Sequence, residues 1–170
     1  MPNIRMPNTR TDPPPPADDR FIYMLSTAQQ QIRNHINAAL TSNGIRVTIA
    51  QSGILFLLKQ RDGRTMTELS TILAVDNSTL TGLADRLERA GFIRRDANPG
   101  DRRSSNLYLT PAGREECNRA KEVIRAVNRQ VKEGFSEADL DTFRRILQDI
   151  SRRFGRNSGP HKTADGGESP

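Results

Sequence analysis

The 170-residue chain is short of several things, and each shortage closes off a class of function. It has one cysteine, Cys117, so no internal disulfide framework can hold it together. One cysteine and two histidines also leave little from which to build an all-Cys/His zinc site. Its longest unbroken apolar runs, Phe21 to Leu25 and Ile54 to Leu58, are five residues each, where a membrane span needs about 20. No apolar segment of the secretory type follows Met1, so a soluble, cytoplasmic protein without membrane association is expected. No G-x-G-x-x-G, Walker loop, G-x-S-x-G or H-E-x-x-H pattern occurs, so nothing supports catalysis, and neither a metal nor another cofactor is expected.

What the chain does have is basic charge: 26 Lys and Arg against 20 Asp and Glu, a formal net charge of +6. Arginine supplies 22 of the 26, and its planar guanidinium suits bidentate contact with phosphates and guanine edges. Eight of the ten prolines fall in residues 1–19 and 155–170, segments without apolar periodicity. Both read as disordered, the first as an arm with a polyproline-like run. The core must then come from residues 20–154, long enough for one domain.

Apolar residues from Phe21 to Ala39 recur every three or four positions, which predicts an amphipathic first helix ended by Asn43-Gly44. Thr48 and Gln51 form a capping-box pattern before a second helix whose run Ile54 to Leu58 is apolar on nearly every face, so it should lie at the centre of the core. Thr65 and Glu68 repeat the pattern before a short third helix carrying Leu69, Ile72 and Leu73 inward. Residues 74–77 turn the chain into a fourth helix from about Ser78 to Ala90, stopped by Gly91. Phe92–Arg95 and Asn106–Thr110, either side of the turn Asn98-Pro99-Gly100-Asp101, read as a β-hairpin. Thr110-Pro111 then opens a fifth helix with the stripe Cys117, Ala120, Ile124, Val127 and Val131. Ser136 and Asp139 open a sixth, with Leu140, Phe143, Leu147, Ile150 and Phe154 at helical spacing. The fold class is mainly α with a small β-hairpin.

Two short helices joined by a tight turn and followed by a basic hairpin match a winged helix-turn-helix. On the fourth helix Leu80, Leu83, Ala84 and Leu87 form one face; Ser78, Gly82, Asp85 and Arg89 lie opposite, flanked by Thr79, Thr81 and Arg86. That outer face suits a DNA groove, because Ser and Thr can contact bases or phosphates, Gly82 removes bulk, and Arg86 and Arg89 can reach phosphate or guanine. It equally suits a solvated face in which Asp85 pairs with Arg89. The hairpin weighs towards DNA: Arg102 and Arg103 sit near its far end, where core packing gives no reason for charge, and a cationic tip can enter a narrow minor groove. Asp101 would be repelled by DNA alone, so its role is to orient an arginine.

The segment NSTLTGLADRLERAGFIRRDANPGDRRSSNLYLTPAG resembles the recognition helix and wing of the MarR family of bacterial transcription regulators, above all in Asp101-x-Arg103 followed by Leu107-x-Leu109-Thr110. The resemblance extends over about residues 20–154, including GFSEADL at the start of the final helix. It implies an α-helical homodimer with one winged helix-turn-helix per subunit, the fourth helix in the major groove of double-stranded DNA and the Arg103 wing in the minor groove. On this reading the DNA-binding lobe is about 48–110, with dimerisation helices at about 20–41 and 111–154. The apolar stripes of those helices point the same way, since a small winged lobe could not cover them all. The resemblance further implies a small anionic aromatic effector in a cleft between the dimer helices and the lobe. His35, beside Ile32, Ile36 and Ala39, is a candidate there, or a structural, hydrogen-bonded histidine. The function expected is a sequence-specific transcription regulator, a repressor released by its effector. The rivals are a nonspecific or architectural DNA-binding protein and a winged-helix protein-interaction module.

Overall fold

The computed structural model describes residues 20–98 and 101–155; the side chains of residues 98 and 101–104 fall outside the description. In chain order the elements are α1 (Phe21–Ser42), α2 (Ile49–Gln60), β1 (Arg64–Thr65), α3 (Met66–Leu73), α4 (Asn77–Arg89), β2 (Ile93–Asn98), β3 (Asp101–Leu109), α5 (Pro111–Lys132) and α6 (Glu137–Phe154). The chain forms two compact units, one ending at His35 and the other beginning at Ile36. The described part of the first is the N-terminal half of α1, where Phe21, Ile22, Tyr23 and Met24 are exposed and Gln30 Nε2 donates to Asn34 Oδ1 at 2.9 Å. Among the described residues no helix is long and apolar enough to cross a membrane.

In the second unit the local signals set the helix starts. Thr48, Thr65 and Ser136 each accept the N–H three residues on while Gln51, Glu68 and Asp139 return the bond, completing three capping boxes. Thr110 caps α5 with Pro111 in its first turn. α2 is the central helix, with Ile54, Leu55 and Leu58 fully withdrawn from solvent. Around it pack Leu69 of α3, Leu80 and Leu87 of α4, Leu107 of β3 and Cys117 of α5. Each buried Leu contributes roughly 2 kcal/mol of apolar transfer, so this cluster, and no surface pair, holds the lobe together.

Four details depart from the sequence reading. The hairpin is part of a three-stranded antiparallel sheet in the order β1-β3-β2, because the short strand β1 pairs Arg64 with Leu107. The β2 and β3 strands run on towards the turn, with an irregularity between Ala97 and Asn98. Ile72 points outward, 50% exposed, since Leu69 and Leu73 already define the inner edge of an eight-residue helix and Ile72 falls on its flank. Finally, α4 starts at Asn77 with Asp76 as its cap, and Ala74, not a glycine, makes the turn before it in the left-handed conformation (φ 52°).

Two joints fix α5 to the lobe. At its start, Thr110 N–H donates to the Phe92 carbonyl at 3.1 Å and Thr110 Oγ1 donates to the Gly91 carbonyl at 2.7 Å. The helix comes so close there that a Cβ on Gly113 would lie 1.9 Å from the Phe92 oxygen, so only glycine fits. One turn on, the buried Glu116 accepts from the Arg46 backbone N–H and from Arg119 Nη1 at 3.0 Å. Arg119 Nη2 reaches the Asn43 and Gly44 carbonyls at 3.3 and 3.2 Å. A buried carboxylate is tolerated when so partnered, and this one ties the α1–α2 loop to α5.

Candidate nucleic-acid interface

The fourth helix presents the two faces expected of it. Leu80, Leu83, Ala84 and Leu87 are buried, and Ser78, Thr79, Thr81, Arg86 and Arg89 are exposed. Gly82 lies on the outer side with a clear approach: a Cβ there would meet nothing nearer than Arg86 Nη2 at 3.8 Å.

The helix entrance is organised by Asp76, which sequence reasoning passed over although an Asp three residues before Thr79 is an ordinary cap signal. Its Oδ1 accepts from Ser78 Oγ at 2.5 Å and the Thr79 N–H at 2.7 Å, and its Oδ2 from Thr79 Oγ1 at 2.7 Å. These donors, Ser78 first, hold the Asp76 carboxyl well below its ordinary range. Thr81 Oγ1 donates to the Asn77 carbonyl at 2.8 Å. All three hydroxyl protons are therefore used within the helix, and the outward-facing lone pairs of Ser78, Thr79 and Thr81 are left to accept.

The pairing of Asp85 with Arg89 is not what forms. Arg89 Nε reaches the Asp85 main-chain carbonyl at 3.3 Å, while the Asp85 carboxylate takes Arg95 of β2 at 2.6 Å. Glu88 lies 3.4 Å from the other arm of the same guanidinium. Arg94 is also engaged, paired with Asp96 and stacked over Tyr108 at 4.6 Å from the ring centre. Arg86 is exposed and has no acidic partner among the described residues. Asp101, Arg102 and Arg103 lie on β3 with their side chains outside the described residues.

Comparison with known proteins matches this same region. The MarR family model matches residues 47–105, from just before the cap of α2 into β3. The chain is 37% identical over 90 residues to the HTH-type transcriptional regulator PecS of Dickeya dadantii, covering 53% of this chain and 54% of that one. It is 33% identical over 98 residues to the multiple antibiotic resistance protein MarR of Salmonella typhimurium, covering 58% and 65%. The chain thus spans between about half and two thirds of the length of these curated relatives. Among solved structures, the transcriptional repressor CouR bound to a 23-mer DNA duplex superposes with a TM-score of 0.72 at 29% identity, covering 79% of this chain and 94% of that one. CouR from Rhodococcus jostii bound to p-coumaroyl-CoA gives 0.67 at 26%, covering 79% and 93%. Residues 47–105 of the chain thus carry a region of the MarR family type.

Two further features of the chain bear on ligands. Between α2 and α5 a groove of about 450 Å³ is lined by Phe56, Lys59, Gln60 and Lys121, an aromatic floor flanked by two ammonium groups. Lys59 Nζ donates to Asn118 at its edge. Cys117 is fully buried behind this region, and burial raises its thiol pKa despite the nearby Lys59, Lys121 and Arg114. A thiol held protonated is a poor nucleophile, as a packing cysteine should be. His35 is exposed on α1.

Proposed function

We propose that the protein is a homodimeric, sequence-specific DNA-binding transcription regulator of the cytoplasm, acting as a repressor. The observation that carries this reading is the outer face of α4: small, polar and open at Gly82, over an inner face of buried leucines, beside a basic hairpin. The lobe at about 48–110 would place α4 in the major groove, with Ser78, Thr79, Thr81, Gly82, Arg86 and Arg89 towards the DNA. Arg102 and Arg103, with Asp101 orienting them, would reach the minor groove. The repressor sense is supported by the likeness to CouR, a transcriptional repressor whose structure is bound to a 23-mer DNA duplex.

Dimerisation through residues 20–41 and 111–154 is supported by the apolar side chains those helices leave exposed within one chain. Phe143 is 53% and Phe154 82% exposed, and no residue of α6 is buried. A groove of about 790 Å³ lined by Val131, Phe135, Leu140, Phe143 and Leu147 continues that surface between α5 and α6. Two copies would space the recognition helices by about one turn of DNA, ~34 Å, and read a pseudo-palindrome.

For the effector, a small anionic aromatic ligand fits the chemistry of the α2–α5 groove, where Phe56 can stack and Lys59 and Lys121 can pair with an anionic group. The p-coumaroyl-CoA bound by CouR has aromatic and anionic character of that kind. His35 stays a candidate on the sequence argument alone.

The test is a titration of the full chain against duplexes selected from a random library and against scrambled controls, with salt varied. A sequence-specific regulator binds the selected duplex at least ~10³-fold more tightly. An architectural protein gives equal curves with a steep salt slope, and an interaction module gives no binding.

A further inference from the structure

We propose that Arg95 is a positioning residue for DNA binding, fixing the angle between the recognition helix and the wing by bridging Asp85 and Glu88. The inference rests on the DNA-binding reading above and adds a part that touches no DNA. Arg95 stands on β2 opposite Leu107 and two residues after Ile93, both buried, so its place in the strand faces the core and the underside of α4. The Arg95 side chain is 29% exposed and its partners Asp85 and Glu88 are 43% and 39% exposed, so the pairs are partly screened by solvent and add little stability. One nitrogen donates to Asp85 Oδ1 at 2.6 Å, and the other lies 3.4 Å from Glu88 Oε2. The third, Nε, is buried without a partner among the described residues, so the group sits in this place at the expense of one hydrogen bond. Stability is therefore not what this arrangement chiefly supplies.

What a planar fork provides is geometry. Asp85 and Glu88 are three residues apart on one side of α4, and two donors held in one plane against two such acceptors restrain both rotation and sliding of the hairpin against the helix. A single point charge restrains neither. From Arg95 to the end of β2 at Asn98 is three residues, about 10 Å of lever arm. A 10° rotation at Arg95 therefore moves the wing end by about 2 Å, enough to break a hydrogen bond made there. Arg86, next to Asp85 on α4, and Arg103 on the wing can engage one duplex together only if that angle is held. Holding it before binding removes an ordering cost from the bound state.

The experiment is a set of binding cycles on the full-length protein, using the duplex selected by the parent and measuring Arg103→Ala and Arg86→Ala in each background. In the parent, Arg103→Ala should cost about tenfold in affinity. In Arg95→Met the overall affinity should fall about tenfold, and the further cost of Arg103→Ala should shrink below about threefold, while Arg86→Ala keeps its full cost. Arg95→Lys, which keeps the charge without the fork, should behave like Arg95→Met. Should Arg95→Met fail to fold, the pair Asp85→Asn with Glu88→Gln removes the fork's acceptors and should abolish the Arg103 cost in the same way. Charge neutralisation alone would instead make that pair bind DNA more tightly and leave the Arg103 cost intact. An undiminished Arg103 cost in these backgrounds, or full recovery by lysine, overturns the positioning role and leaves the DNA reading standing. A parent that selects no duplex overturns both.

Discussion

Gly82 gives the sharpest separation of folding from function in this chain. In the middle of a 13-residue helix a glycine costs about 1 kcal/mol relative to alanine, through backbone entropy. The usual structural excuses are missing: Gly82 is not among the positive-φ glycines, and an added Cβ would touch only Arg86 Nη2, at an ordinary 3.8 Å. Folding of the single chain therefore favours alanine, and the reason for glycine must lie with what approaches this face. Gly82→Ala should stabilise the protein by about 1 kcal/mol, raising Tm by roughly 2 to 4 °C for a chain of this size. The same methyl group, pressed against a groove wall, should weaken DNA binding by about 1 to 3 kcal/mol, or roughly 5- to 150-fold. Urea unfolding followed by circular dichroism at fixed protein concentration reads the first effect, and anisotropy titration of the selected duplex reads the second. A variant that is stabilised yet binds DNA within about twofold of the parent refutes the groove argument. A variant that is destabilised shows that the space around Gly82 is not open.

The other glycine of interest behaves oppositely: Gly113→Ala places Cβ against the Phe92 oxygen, so α5 must shift, and a net loss of roughly 2 kcal/mol should appear as a lower urea midpoint. Phe143→Ala removes a side chain about half exposed in one chain, worth about 1 kcal/mol per copy, so the dimer Kd should rise about 30-fold in sedimentation equilibrium. The Asp76 and Glu68 carboxyls are both lowered from ordinary values of 3.8 and 4.5, Asp76 chiefly by the Ser78 hydroxyl and Glu68 by the Thr65 N–H. Groups depressed in the folded state add stability that is complete above the unfolded pKa and is lost as pH falls; Asp76→Asn with Glu68→Gln should therefore flatten the decline in unfolding midpoint below about pH 4.5. Cys117→Ser should lower stability modestly, by about 1 kcal/mol, and leave the response of DNA binding to peroxide unchanged; a response lost with the thiol would show that it reacts.

What the sequence made legible follows from how far apart the deciding residues lie. The caps at Thr48, Thr65, Thr110 and Ser136 depend on a donor and acceptor three residues apart, and all four formed. The buried face of α4 depends on one helix's period, and its four apolar residues went inward. Strand β1 could not be read in this way, because two residues carry no alternation and Arg64-Thr65 becomes a strand only when β3 arrives beside it. Ile72 went outward for a related reason: in a helix of eight residues one apolar position more or less does not define a face, and Leu69 with Leu73 had already filled it.

The charges were legible in number but not in direction. A sequence counts Arg94 and Arg95 with Arg86 and Arg89 as one basic surface, yet each of the first two is already paired within the chain, Arg94 with Asp96 and the Tyr108 ring at the surface and Arg95 with Asp85 and Glu88. Such pairs join a strand to itself or to a helix and depend on register, which no local pattern records. An arginine already opposed by a carboxylate adds little attraction for phosphate, since the pair presents almost no net field beyond its own length. Among the described residues the two arginines of α4 that have no carboxylate partner are Arg86 and Arg89, the latter bonded only to the Asp85 main-chain carbonyl, so the attraction this helix can exert on DNA rests on them. Net charge is thus the wrong measure of such a surface: an arginine with no carboxylate beside it attracts a phosphate more than several that are already paired.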